Sequence, residues 1–352
     1  MDKKSHAGVF TVNIQALTIS IGLVFQLMLM PVSAQAPSQT ADVSGSQAES
    51  SAVVMNSSIF GMCFSDQNNG WLVGKNGTIV HTADGGKTWS LQNSGDKLHL
   101  YDVSFCNAQH GWAVGENGYI IHTMDGGRTW KPQQSGITGN LRGVQCIDAN
   151  TGWAAGHQGA LLKTVDGGKT WLWQERAQNL LGQLNRQFLP SLFCVRFSDA
   201  LNGFVVGHPG IILHTADGGK TWQLQSSGTD AVLYKVALHD KNSAWISGGK
   251  GVILHTADGG TTWVTQQSGV EFMLNSIAFA GEMKGFAAGY KCLLYTEDGG
   301  DTWSKFEIPL PRWFCAIKFS DPQHGWAAGD AGTIYNTDDG GKNWKVILAM
   351  IR

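Results

Sequence analysis

Apolar positions along this chain come in short bursts instead of helical stripes. From Ile59 onward the burst IFGMCF is followed by GWLVG, a GKNG turn, a third burst TIVHT and the octapeptide TADGGKTW. Bursts of this length bounded by Gly, Asp and Asn read as strands. The whole unit then recurs. First strands read IFGMCF, LYDVSF, LRGVQC, LFCVRF, LYKVAL, LNSIAF and FCAIKF, and second strands GWLVG, GWAVG, GWAAG, GFVVG, AWISG, GFAAG and GWAAG. A fourth strand begins at the closing Trp of each octapeptide. These tryptophans are Trp89, Trp130, Trp171, Trp222, Trp263, Trp303 and Trp344, at successive spacings of 41, 41, 51, 41, 40 and 41 residues. Four short strands in about 41 residues is the spacing of an antiparallel propeller blade. The pattern predicts an all-β, seven-bladed β-propeller of four-stranded antiparallel blades over residues 58–352. The units run unpermuted from Ile59 to Leu348, so the ring closes by packing blade one on blade seven. Residues near Val53 are candidates for an added strand.

The octapeptide explains itself physically. Its Gly-Gly pair allows positive φ at two successive positions, as a tight strand-to-strand turn needs. Its carboxylate (Asp84, Asp125, Asp166, Asp217, Asp258, Asp298 and Asp339 in turn) can accept the turn's own backbone N–H groups. Its Trp can lie between neighbouring blades, burying roughly 150–250 Å². All fourteen residues are therefore expected to hold the fold and do no chemistry.

Composition adds three points. The chain carries 46 Gly and 14 Trp, as many tight turns between packed sheets require. Its net charge of −2 supplies no basic field for nucleic acid. The N-terminus has Lys3 and Lys4, an apolar run from about Ile14 to Met30, Pro31, and Ala34-Gln35-Ala36 as a cleavage site. Residues 1–36 are expected to be an export signal, and residues 37–57, rich in Ser, Ala and Gln, a flexible linker. Export would place the mature chain in a periplasm, a thylakoid lumen or outside the cell. Losing Asp2, Lys3 and Lys4 takes the charge from −2 to −3.

The octapeptides are the Asp-box, or bacterial neuraminidase, repeat. The longer pattern GWLVGKNGTIVHTADGGKTW, from Gly70 to Trp89, resembles the photosystem II stability and assembly factor family of cyanobacteria and chloroplasts. The likeness covers all seven repeats. It implies an exported seven-bladed propeller with Asp-box turns that binds newly made reaction-centre protein during assembly. This chain differs in having no lipid-attachment cysteine between its apolar run and Cys63.

Other chemistries fit the residues less well. DGGKT resembles the end of a phosphate-binding loop, but the required Gly is His81 and the segment joins two strands. His81, His122, His214 and His255 occupy one repeat position on separate blades, too far apart to share a metal ion. Five of the six cysteines (Cys63, Cys106, Cys146, Cys194 and Cys315) lie on or at the end of first strands in unequal registers, and are expected to be reduced. No cofactor or metal is expected. Asp boxes also occur in sialidases and other glycoside hydrolases, so a secreted hydrolase or a glycan-binding lectin is the alternative class. Such a hydrolase needs a facing carboxylate pair. Asp102 is the clearest inner-strand acid, Glu116 and Asp330 sit on distant blades, and no convincing pair emerges. The reading is a non-enzymatic, monomeric scaffold for protein clients.

By family resemblance, partners dock on the face opposite the boxes. The residues to watch there are those the repeat does not demand. Trp173 adjoins the insertion WQERAQNLLGQLNRQFLP, which also holds Arg176 and Arg186. Arg312 and Trp313 precede the first strand of blade seven. Arg142, Tyr101 and Tyr234 begin first strands. Aromatics beside arginines are enriched in protein-binding hot spots. Arg142, Arg312 and the insertion arginines are expected to form one basic, aromatic-edged patch near the channel mouth, suited to an acidic segment or free carboxylate.

Overall fold

A computed structural model describes residues 53–54, 57–184, 189–306, 313–347 and 350–351. The expected signal, residues 1–36, lies outside them, as does most of the expected linker. Seven four-stranded antiparallel sheets follow one another along the chain, each in simple sequence order. The innermost strands are Ile59–Phe64, Leu100–Phe105, Leu141–Cys146, Ser191–Phe197, Leu233–Leu238, Leu274–Phe279 and Phe314–Phe319. Each touches the next, and Ile59–Phe64 touches Phe314–Phe319, so the ring is closed around a central channel. No blade is permuted. A short separate ladder pairs Val53 with Ile351 and Val54 with Met350.

The core lies between blades. Second-strand aromatics Trp71, Trp112, Trp153, Trp245 and Trp326 are at most 2% exposed. Box tryptophans pack edge-on against them or their neighbours, as Trp171 does on Trp112 at 6.1 Å and Trp222 on Trp153 at 5.7 Å. Burial of the box ring is less uniform than expected. Trp89, Trp130, Trp171 and Trp222 are buried, whereas Trp263, Trp303 and Trp344 are half-buried. Trp263 and Trp344 pack on Phe204 and Phe286, where the preceding blade carries Phe instead of the larger Trp.

Each box closes on itself. Asp84 Oδ1 accepts the Thr88 N–H and the Thr82 hydroxyl, and Oδ2 accepts the Thr88 hydroxyl at 2.6 Å. The Thr82 oxygen accepts the Gly86 N–H. Gly85 and Gly86 have φ of 72° and 86°, and a Cβ on Gly86 would press on the indole of Trp326. The six other boxes repeat the arrangement, with Asn343 replacing Thr in the last.

A glutamine missed at the sequence level joins blades on the same side. Gln133 Oε1 accepts Nε1–H groups from both Trp112 and Trp171 at 3.0 Å, while its amide donates to the Gly167 carbonyl at 2.8 Å. Gln92, Gln225 and Gln266 clip Trp130, Trp263 and Trp303 in the same way. At the other three junctions the equivalent residue is Ile347, Phe306 or Gln174. The insertion draws Gln174 onto the Leu172 carbonyl, and the Nε1 atoms of Trp89, Trp222 and Trp344 lie buried without a partner.

The described part of the insertion holds one helix, Glu175–Gly182, whose Ala177 and Leu181 are buried between blades three and four. No described helix is long and apolar enough to cross a membrane. All six cysteines are free thiols. The four repeat histidines stack on the aromatic opposite them in their own sheet, as His81 does on Trp71 at 4.7 Å and His122 on Trp112 at 4.4 Å.

Candidate partner-binding face

Strand direction sorts the loops onto two faces. Boxes meet the turns between first and second strands, as the Gly85 N–H does on Asn68. The GxxG turns meet the loops between blades on the opposite face. The Lys75 N–H bonds Ser58, the His157 N–H bonds Asn140, and a Cβ on Gly77 (φ 69°) would run into the Asp96 carbonyl.

On that second face every innermost strand carries one irregularity at its start. The pairing with the second strand skips one residue in all seven blades. A bulge leaves its extra residue unpaired and re-aims that side chain. The seven skipped residues are Phe60, Tyr101, Arg142, Phe193, Tyr234, Asn275 and Cys315. They form a ring around the channel mouth, at which Arg142 is central. Its guanidinium lies 3.9 Å from the Tyr101 ring centroid, and its Nε–H donates to His157 Nε2 at 3.2 Å. Tyr234 is near enough to act on its charge, and Phe193 packs edge-on against Tyr234 at 5.6 Å. Burial lowers the guanidinium pKa, and the Tyr101 and Glu116 side chains oppose the shift. Burial, then the Arg142 charge, lowers the His157 pKa to about 4, so at neutral pH the imidazole is an uncharged acceptor. Phe60 extends the aromatic edge beyond Tyr101, at 5.8 Å. The Glu116 carboxylate accepts the His99 backbone N–H.

A second aromatic group stands on the same face. Trp313 packs on Tyr290 at 4.6 Å, and Tyr290 on Phe272 at 5.8 Å, with Phe272 50% exposed. Thus Tyr101, Arg142 and Tyr234 come together, and Trp313 shares their face. Arg176 does not join them: its Nη1 donates to the Lys220 carbonyl at 2.7 Å, within the box turn of blade four. Its short strand Leu172–Trp173 ends far out on the blade, so the helix reaches the neighbouring box and not the channel. Trp173 lies on that outer strand, 39% exposed. Arg186 and Arg312 lie outside the described residues.

Below the mouth, alternate side chains of the innermost strands point inward. Several bind across blades: Asp102, Ser104 and Ser276 accept the N–H groups of Val144, Cys146 and Ile317. Asp102 is 1% exposed and also takes Lys235 Nζ at 3.1 Å and Arg196 Nη2 at 3.3 Å. Burial raises its pKa, but Lys235, Arg196 and the Val144 N–H prevail and lower it. It is a held anion and not a proton donor. The pocket around it is lined by no second carboxylate. Arg196 escaped the sequence reading because it sits inside a repeat strand. The available signal was its position two residues beyond Cys194, the fourth-blade equivalent of Asp102.

Comparison with known proteins agrees with the repeat. The sequence model described as photosynthesis system II assembly factor YCF48 matches residues 41–132, 133–227 and 221–349. No curated protein matches the chain. Among solved structures, YCF48 bound to D1 peptide is 24% identical, covers 80% of this chain and 94% of its own, and superposes with a TM-score of 0.65. YCF48 from Cyanidioschyzon merolae is 21% identical over 83% and 98%, with a TM-score of 0.69. The GH74 xyloglucanase from Xanthomonas campestris reaches the same TM-score of 0.69 at 14% identity, covering 83% of this chain and 53% of its own. That last likeness is one of fold.

Proposed function

The chain belongs to the photosynthesis system II assembly factor family, and from that premise we propose that it is an exported, non-enzymatic scaffold that holds an extended segment of a client protein across the channel mouth opposite its boxes. The observation that carries the reading is the bulge ring. One half-buried arginine is stacked on Tyr101, fixed by His157 and edged by Tyr234, Phe193 and Phe60. A planar guanidinium pinned between aromatics suits a carboxylate on a segment whose apolar side chains cover the rings. The family's solved complex with D1 peptide supports a polypeptide as the ligand. The glycan alternative gains nothing from Asp102, which is ionised and tied to two cations.

The experiment is a fluorescence-anisotropy titration of labelled D1 peptide against the full chain, with a scrambled peptide as control. Arg142→Glu should weaken the peptide at least about tenfold, or roughly 1.4 kcal/mol. The same change on the box face, Lys220→Glu, should do nothing. Equal affinities for peptide and scramble, or an unaffected Arg142→Glu chain, would sink the reading. So would turnover of an oligosaccharide.

A further inference from the structure

Three cations and one anion face the same small space inside the channel. Asp102, Arg196, Lys235 and Lys318 line one pocket, whose remaining wall is Gly61, Met62, Val236, Ser276, Ile277, Ala316 and Ile317. Asp102 is saturated by Lys235, Arg196 and the Val144 N–H. Arg196 gives Nη1 to the Val144 and Val195 carbonyls and Nη2 to Asp102. Among the described residues no acid pairs with Lys318, which is exposed to the lumen.

Like charges confined in this way repel unless something of opposite sign sits among them. The repeat position that supplies Asp102 holds Gly61, Gly143 and Ala316 in other blades, which add no second anion, and a small pocket opens beside the cations. We propose that the channel holds an oxyanion-binding site, in which Lys318, Lys235 and Arg196 together bind a carboxylate or inorganic oxyanion and Asp102 fixes the two paired cations in place. Lys318, Lys235 and Arg196 border this one pocket from three blades, and the N–H groups not used on Asp102 or the backbone are the donors for charge-assisted recognition of such an anion. Lys318 opens to the channel yet is walled by protein, and that enclosure, followed by the Arg196 charge, lowers its pKa.

The site stands independently of the client reading, although a carboxylate of a client entering from the mouth is one source for its ligand. The test is thermal melting of the full chain in sodium phosphate against sodium chloride at matched ionic strength. Phosphate should raise the melting temperature saturably, by about 2 °C or more at tenfold excess over its dissociation constant. Lys318→Met should lose most of that rise, Lys318→Arg should keep it, and Arg142→Glu at the mouth should leave it intact. Lys318→Met should also melt higher than the parent chain in chloride alone, because an unpaired cation has gone. A merely structural Lys318 would move the other way. A linear, unsaturable phosphate response, or one unchanged in Lys318→Met, overturns the site. Competition between phosphate and a D1 peptide with a free terminal carboxylate, absent for the amidated peptide, would assign the ligand to the client. Binding of phosphate without competition would assign it to a free anion.

Discussion

The two faces of the ring come from one repeat and differ in what fixes their residues. On the box face, Asp84 and its six counterparts each accept the backbone N–H and the side-chain donor of the fourth residue on, a Thr hydroxyl or, once, the Asn343 amide. On the mouth face, the seven equivalent bulge positions hold five residue types: Phe60, Tyr101, Arg142, Phe193, Tyr234, Asn275 and Cys315. A box side chain serves its own turn, so the backbone selects it. A bulge side chain is freed from strand pairing, so its own turn does not select it, and it takes varied partners such as the Phe314 carbonyl for Asn275 and the Tyr101 ring for Arg142. The repeat therefore prescribes one face and leaves the other open.

The comparison breaks if the box side proves dispensable. Trp153, 1% exposed and stacked on Phe197 at 4.7 Å, should cost roughly 3–5 kcal/mol on truncation to Ala, read by urea unfolding. Trp222→Ala should fall at the low end of that range. It is 8% exposed, and its loss also removes a buried N–H without a partner. A cost under about 1 kcal/mol at Trp153 would contradict the packing role.

Acid should separate the faces in sequence. His122 and His157 have pKa values lowered to about 4, chiefly by burial. A base with a depressed folded pKa contributes stability above its unfolded pKa of 6.5, lost as pH falls toward 4. At pH 5 these two groups should take up about two protons on unfolding, measurable by calorimetry in buffers of different ionisation enthalpy. Box carboxylates such as Asp166 and Asp258 are held at about 2 by the backbone N–H and then the hydroxyl of the following Thr170 and Thr262. Their contribution is present above the unfolded carboxylate pKa of 3.8 and fades only as pH falls toward 2. The mouth around His157 should thus lose its geometry before the boxes do. Uptake of less than one proton at pH 5 would contradict the assignment.

A smaller effect tests the clips. Gln133→Leu orphans the indoles of Trp112 and Trp171 and should cost about 1–3 kcal/mol. Gln174→Leu, at the junction the insertion disrupts, should stay within about 0.5 kcal/mol. Equal costs would mean that the clip adds nothing beyond side-chain packing.

The architecture was legible because a 41-residue period, a Gly-Gly pair and a closing Trp each have one structural solution at blade spacing. The residues near the mouth were legible where they broke the repeat, as Arg142, Tyr101, Tyr234 and Trp313 do. The bulge that gathers them was not, since a skipped residue leaves no mark in a six-residue apolar burst. Arg196 and Lys318 stayed hidden because alternation tells which residues face inward, and which of seven inward rows meet depends on ring closure. A loop that follows a fourth strand points toward the mouth, and the sequence groups Arg176 there for that reason. The helix that begins at Glu175 instead turns the side chain back to Lys220.

The smallest stability change is expected at the mouth itself. Arg142→Gln keeps the stem of the side chain and removes the charge over Tyr101, a contact worth about 0.5–1 kcal/mol. Nothing in the repeat depends on it, so the unfolding midpoint should barely move. The change should be visible locally in the titration of His157. Burial is the main cause of that imidazole's low pKa and the Arg142 charge the second. Removing the charge should therefore raise the His157 pKa part of the way toward 6.5, leaving the burial component. His122 stacks on Trp112 within its own sheet and should titrate as before. Two-dimensional NMR of the imidazoles reads both at once. A rise confined to His157 with an unchanged midpoint means that the mouth is a local electrostatic arrangement resting on a ring that does not need it. If His157 and His122 shift together, or the midpoint falls by several degrees, Arg142 is part of what holds the blades, and the two faces are less different than their sequences imply.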